Sequence, residues 1–302
     1  MLKRLDKRSE VIGPVVWLTG TLHGDEPGGE VVIKKLFEEL EKVELVRGSL
    51  HAFPIINESG LEKKTRELPE TGEDLNRLFP GQSDGTLGQK IARQVWQAII
   101  ATRPNLVLDL HNDWINSIPY ILIDEEESMS IPLHAKLEQT ALAAGLIVVK
   151  ENIKTLDQTL SGSLTKIGIP ALTFELGGAQ VVDENNVKIA VNAISRILRQ
   201  LDLITEEISP PNKTLDVGMP LTSSVEMTTG RLFNYSDVPR PTTTGPIKMF
   251  VVPGQLIKKG DLIAKIESGE ELFSQKNGVV LGYTDETISR PGQEIVALGV
   301  ES

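Results

Sequence analysis

Two kinds of apolar pattern alternate along the first two hundred residues. Val15-Val-Trp-Leu18 is a short unbroken apolar run, as expected for a strand covered on both faces. Gly28-Gly-Glu-Val-Val-Ile-Lys-Lys-Leu-Phe-Glu-Glu-Leu40 then carries Val32, Ile33, Leu36, Phe37 and Leu40 at helical spacing, with Pro27 suited to the first helical position. The pairing repeats. Strands are predicted at 48–57, 105–110, 118–123, 146–149 and 170–178, and helices at 87–101, 131–144, 160–168 and 185–201. Ile91, Val95, Trp96 and Ile99 mark one face of the helix over 87–101. Strands alternating with helices predict an α/β domain, a mostly parallel sheet between two helical layers.

The texture changes near residue 205. Ser209-Pro-Pro-Asn212 reads as a linker, and helical periodicity stops. Short β runs cut by Gly and Pro follow, at 230–233, 245–251, 256–257, 261–266, 278–283 and 294–298, which is the pattern of an all-β module. The expected division is a catalytic domain over 1–205 and a small C-terminal β domain over 206–302.

Composition narrows the function. With 31 Lys and Arg against 42 Asp and Glu, the net charge of -11 argues against nucleic acid and against an anionic membrane surface. The chain has no cysteine, which rules out disulfides and thiolate metal sites. Any metal must be held by His and carboxylates. The first ten residues are charged throughout and lack an apolar signal core, and no stretch reads as a membrane span, so a cytoplasmic protein is expected. Oligomeric state stays open, a homo-oligomer included.

Four histidines are available, at 23, 51, 111 and 134. His23 and Glu26 stand three residues apart in the Gly-rich turn Thr19-Gly-Thr-Leu-His-Gly-Asp-Glu26, between the first strand and its helix. His111 directly follows the strand over 105–110, so it can converge on the same crevice. Two imidazoles and one carboxylate would leave the open position that zinc hydrolases use. His51 and His134 lie in an apolar run and a helical segment and read as packed or solvated imidazoles. Glu175 ends an apolar strand and is followed by two glycines; a carboxylate there is either salt-bridged or capping, or a general base beside a metal-activated water. In Asp74-Leu-Asn-Arg77, Arg77 offers a planar fork for a substrate carboxylate and Asn76 a neutral donor. Asp74 could accept from the outer nitrogen of a zinc-bound histidine. Arg66, upstream in the same loop, is a candidate for stabilising an oxyanion. Taken alone, that loop motif could equally cap a helix or make surface ion pairs.

In chain order, His23-Gly-Asp-Glu26, Arg66, Asp74-Leu-Asn-Arg-Leu-Phe-Pro-Gly81, Asp109-Leu-His111 and Phe174-Glu-Leu176 together resemble the aspartoacylase/succinylglutamate desuccinylase family, a branch of the zinc carboxypeptidase superfamily. The resemblance implies a three-layer α/β/α catalytic domain with one zinc ion per chain at His23, Glu26 and His111. It further implies a catalytic carboxylate at Glu175, carboxylate binding at Asn76 and Arg77, and carbonyl polarisation at Arg66. Its reaction is amide hydrolysis of a small N-acyl amino acid. The C-terminal module resembles that family's second domain and, through Val252-Pro-Gly and Lys259-Gly-Asp261, half of a biotinyl/lipoyl-type sandwich without a carrier lysine context. Asp25 stands where many relatives carry Asn. No residue matches the family's further acyl-binding Arg and Tyr, and Asn112-Asp113-Trp114 has no assigned role. A zinc carboxypeptidase acting on peptide C-termini and a non-catalytic metal- or metabolite-binding protein are the alternatives.

Overall fold

In a computed structural model, residues 2–124, 129–151, 158–206, 208 and 230–301 are described. Among the described residues are six α-helices and sixteen strands, and through residue 200 strands and helices follow one another as in an α/β domain. After β1 (Leu5–Arg8) and β2 (Val15–Gly20) come α1 (Gly28–Leu40), β3 (Ser49–Phe53), α2 (Glu58–Lys63) and α3 (Leu87–Ile100). β4 (Leu106–His111), β5 (Asn116–Ser117), β6 (Tyr120–Asp124), α4 (Ile131–Ala143) and β7 (Ile147–Glu151) follow. α5 (Leu160–Lys166), β8 (Ala171–Glu175) and α6 (Glu184–Gln200) complete the alternation. The remainder is all β: β9 (Arg231–Ser236), β10 (Gly245–Met249), β11 (Leu256–Ile257), β12 (Leu262–Ile266), β13 (Glu271–Phe273), β14 (Gly278–Tyr283), β15 (Ile288–Ser289) and β16 (Val296–Val300). The predicted linker at 209–212 lies outside the described residues.

The large sheet is mixed. Its order is β1-β3-β2-β4-β8-β6-β7-β9-β16-β14-β11. The run β3-β2-β4-β8 is parallel, β6 reverses against β8, and β7 and β9 run parallel to β6. Beyond β9 the pairing is antiparallel, so strands from the C-terminal segment extend the sheet of the first two hundred residues. The same segment also forms a small β domain around a second, antiparallel sheet, β13-β12-β10-β15. Ile263, Ala264, Ile266 and Leu272 of that sheet pack with Val280, Val296 and Leu298 of the large one.

Strand alternation decides which helix meets which residue. Val16 and Leu18 of β2, Leu106, Leu108 and Leu110 of β4, and Leu172 and Phe174 of β8 pack under α1, α4 and α6. Val32, Ile33 and Leu36 of α1 are fully buried there. Each such side chain is worth about 1.5–3 kcal/mol relative to leaving it in water. Trp17, Val107 and Ala171 face the opposite side and pack with Ala92, Val95, Trp96 and Ile99 of α3 and Leu160 and Leu164 of α5. On that second face the apolar pattern breaks toward the strand ends. No helix among the described residues is long and apolar enough to cross a membrane.

Candidate active site

On the α3/α5 face, the residues after Val107 are Asp109 and His111, and those after Ala171 are Thr173 and Glu175. Polar groups therefore replace core residues at the carboxyl ends of parallel strands, where open α/β sheets place their ligands. His111 and Glu175 are direct neighbours in the β4–β8 register. His23 and Glu26 arrive from the turn after β2. Gly24 has no alternative residue in that turn, since a Cβ would lie 2.0 Å from the carbonyl carbon of Gly60. The Glu26 amide donates to the His23 carbonyl at 3.2 Å, which folds the two side chains to the same side.

His23, Glu26 and His111 form one buried cluster, 2 %, 5 % and 3 % exposed. Glu26 Oε1 lies 2.7 Å from His23 Nδ1 and its Oε2 lies 2.8 Å from His111 Nδ1, while the two Nδ1 atoms are 3.2 Å apart. One donor atom from each residue fits within a 4.8 Å span. Two ligands held about 2.0–2.1 Å from a tetrahedral zinc stand about 3.3 Å apart, so the three donors fit one ion. The outer nitrogens support the same conclusion. His23 Nε2 sits 3.1 Å from Asp74 Oδ1, and His111 Nε2 sits 3.0 Å from Asp109 Oδ2. A carboxylate that accepts from Nε2 turns the Nδ1 lone pair inward, toward a shared cation. Burial opposes a charged His111, but Asp109 and Glu26 lift its pKa well above the usual imidazole value. The Glu26 carboxyl goes the other way: burial raises it, and His23 and His111 together pull it below the usual range.

Asp109 was visible only as part of a motif. Its position two residues before His111 on the same strand face was the available signal. It is fully buried and also accepts from the Thr19 hydroxyl at 2.6 Å. Asp109→Asn is expected to fold and to weaken metal affinity by about 10- to 100-fold, as measured by competition with a chromophoric chelator. The run that had no assigned role also resolves. Asn112 accepts from the Gly28 amide at 2.9 Å, donates to the Gly177 carbonyl, and its own amide donates to Glu26 Oε2 at 3.1 Å. It ties the start of α1 to the loop after β8, and a Cβ on Gly28 would strike it at 2.6 Å. Asp113 accepts from the Tyr120 hydroxyl at 2.8 Å.

The other predicted residues meet in the same cleft of about 360 Å³, which His23, Glu26, Arg66, Asn76, Arg77, His111 and Glu175 all line. Arg66 Nε donates to Asp74 Oδ2 and Nη1 to Glu26 Oε1, both at 3.2 Å. Asp74 caps the 3₁₀ turn Leu75–Arg77 through the Asn76 amide at 2.8 Å. Asn76 accepts from the Leu160 amide at 2.9 Å, so its carboxamide points its nitrogen toward His111 Nε2, 3.5 Å away. Arg77 Nη1 donates to the Asn76 carbonyl at 2.9 Å. Glu175 Oε2 is buried with no hydrogen-bond partner, and burial raises its pKa well above the carboxylate range against the pull of His111. His51 stays outside the site, buried between Asp6 and Ser49 with its ring 5.1 Å from Trp17. His134 is on α4, 3.9 Å from Glu138.

This fold and site define a class. The sequence model of the succinylglutamate desuccinylase/aspartoacylase catalytic domain matches residues 12–201, and the chain belongs to that family. Among curated proteins it is similar to the N-alpha-acetyl-L-2,4-diaminobutyric acid deacetylase of Halomonas elongata, 27 % identical over 267 residues, covering 86 % of this chain and 72 % of that protein. Two solved structures share its fold. The succinylglutamate desuccinylase/aspartoacylase of Rhodobacter sphaeroides has a TM-score of 0.79 at 24 % identity, over 97 % of this chain and 86 % of the other. The product-bound ectoine utilization protein EutE (DoeB) of Ruegeria pomeroyi has a TM-score of 0.77 at 22 % identity, over 97 % and 87 %.

Proposed function

We propose that this protein is a zinc-dependent deacylase that hydrolyses the amide bond of a small N-acyl amino acid or a similar metabolite, releasing a carboxylate and an amine. The observation that carries the reading is the convergence of His23, Glu26 and His111 beside Glu175, whose carboxyl has a buried oxygen without a partner. The deacetylase relative supports it, since its name states removal of an acetyl group from a small amino acid.

His23, Glu26 and His111 would hold one zinc ion, with Asp74 and Asp109 orienting the two imidazoles. When bound, zinc supplies Lewis acidity that eases ionisation of water and polarises a carbonyl oxygen. Glu175 takes a proton from the attacking water and delivers it to the leaving nitrogen as the C–N bond breaks. Its raised pKa suits both halves of that transfer, because a stronger base holds the proton until the amine needs it. Arg66, 39 % exposed in its side chain and anchored by Glu26 and Asp74, faces the cleft with guanidinium hydrogens for the developing oxyanion. Asn76 and Arg77, on one 3₁₀ turn, receive the substrate carboxylate.

The test is amine release by the zinc-loaded protein from N-acetyl, N-succinyl and longer N-acyl amino acids, set against peptides with free C-termini. Turnover of an N-acyl amino acid is the expected result. Cleavage confined to peptide C-termini would make the protein a carboxypeptidase, and metal binding with no hydrolysis would make it a binding protein.

A further inference from the structure

The groups that meet in the cleft are fixed by different means. His111 and Glu175 are neighbours in the β4–β8 register, so the sheet itself sets their separation. His23 and Glu26 belong to the turn between β2 and α1, which lies outside every strand. Contacts beyond the sheet therefore decide where that turn sits relative to Glu175. The distance matters, because a general base acts only within hydrogen-bond reach of the proton it takes, and a misplacement of about 1 Å can cost about 10²-fold in rate.

Asn112 spans that gap. It is buried, and its carboxamide is committed to the main chain of two segments that are far apart in sequence. Its Oδ1 accepts from the Gly28 amide at 2.9 Å, two residues beyond Glu26. Its Nδ2 donates to the carbonyl of Gly177, two residues beyond Glu175, and lies 3.4 Å from the carbonyl of Gly178. Both glycines hold left-handed backbone, at φ +69° and +63°, a conformation that glycine adopts without a Cβ penalty. The Asn112 main chain reaches the site directly, since its amide donates to Glu26 Oε2 at 3.1 Å. Backbone bonds reinforce the same junction. The Leu176 amide donates to the His111 carbonyl and the Ala179 amide to that of Asp113, both at 2.8 Å, and the Gln180 amide reaches the Asp25 carbonyl at 2.9 Å.

We infer that Asn112 is a positioning residue, whose carboxamide locks the β2–α1 turn against the loop after β8 and so sets Glu26 and Glu175 at the separation that proton transfer from water requires. The proton transfer rests on the deacylase reading; the lock between the two segments does not. Because the Glu26 contact is made by main chain, removing the Asn112 side chain leaves it in place. Turnover should therefore suffer more than metal binding.

In the zinc-loaded protein, Asn112→Ala is expected to lower kcat about 10- to 30-fold, with KM and zinc affinity within about threefold of the unmodified protein. Placed in Glu175→Gln, the same substitution should cost no more than about threefold, because the group it misplaces is already gone. Hydrogen exchange gives a readout that needs no substrate. In Asn112→Ala the amides of residues 24–30 and 176–180 should exchange at least about tenfold faster together, while those of α3 keep their rate. Gly28→Ala is the second variant. It deletes no hydrogen bond and suits a helix, but its Cβ would lie 2.6 Å from Asn112 Oδ1 and push the carboxamide aside, so the same signature is expected. Unchanged exchange, an equal loss of kcat in the Glu175→Gln background, or a fall in zinc affinity as large as the fall in turnover overturns the inference. Faster exchange in both segments with undiminished kcat upholds the lock and overturns the positioning role. If the unmodified protein hydrolyses no N-acyl compound, the deacylase reading fails, and joint exchange of the two segments still decides the lock.

Discussion

Glu175→Ala is expected to keep about one zinc per chain and to lose about 10²- to 10⁴-fold in kcat, with KM changing much less. The reason is geometric and electrostatic together. Glu175 is the cleft carboxylate that pairs in register with His111, and its buried Oε2 is committed to no other partner. Removing it should also not unfold the protein, because among the described residues no ion pair depends on it and the deleted group is one that burial penalises. Glu175→Gln separates proton transfer from shape: it preserves volume, and its turnover should fall about as far as that of the alanine variant. Steady-state rates with metal analysis on the same samples decide the matter. Undiminished kcat in Glu175→Gln would remove the residue from the mechanism.

The second large effect belongs to His111. His111→Gln is expected to lower zinc affinity by on the order of 10³-fold, since one of three protein donors is exchanged for a poor one. Turnover should fall in step and return in part when excess zinc is supplied. The glutamine amide can still meet Asp109, which keeps that fully buried carboxylate from losing its His111 contact. Far-ultraviolet circular dichroism should therefore match the unmodified protein. Chelator competition reads the affinity directly, and stoichiometric zinc at unchanged affinity would discredit His111 as a ligand.

Much of this fold could be read locally because the long elements are strongly periodic. The helix expected over 28–40 is α1 to the residue, and α3, α4 and α6 agree with their predicted spans to within a residue at either end. Elements that escaped the sequence are short or polar. Leu5-Asp-Lys-Arg8 is an edge strand with three charged residues, and β5 and β15 have two residues each. Asn57 caps the short helix α2 inside a segment that reads as loop. Sheet membership is a different problem. Nothing near Arg231–Ser236 signals that it would pair with β7 and carry the large sheet into the C-terminal segment, because strand pairing depends on residues far away in sequence.

The site follows the same division. His23, Glu26, Arg66, Asp74 and His111 could be chosen by residue type and spacing, and the structure brings their side chains together. Three further carboxylates that line the cleft could not, since Asp124 and Glu151 end apolar strands as many surface carboxylates do, and Glu294 lies in the C-terminal segment. Their place in the cleft emerges only once register sets two of them opposite each other and the third against Tyr235. A second cationic group suited to an acidic acyl chain does not emerge; among the described residues Arg66 and Arg77 are the only arginine or lysine side chains lining the cleft.

The whole account depends on two imidazoles and a carboxylate, distant in sequence, surrounding a single ion. X-ray absorption at the zinc edge of the stoichiometrically loaded protein reads that coordination directly. Two imidazole nitrogens and carboxylate oxygen at about 2.0–2.2 Å, with one imidazole lost in His111→Gln, is the predicted result. A zinc shell without imidazole scattering, or one identical in His111→Gln, would contradict it.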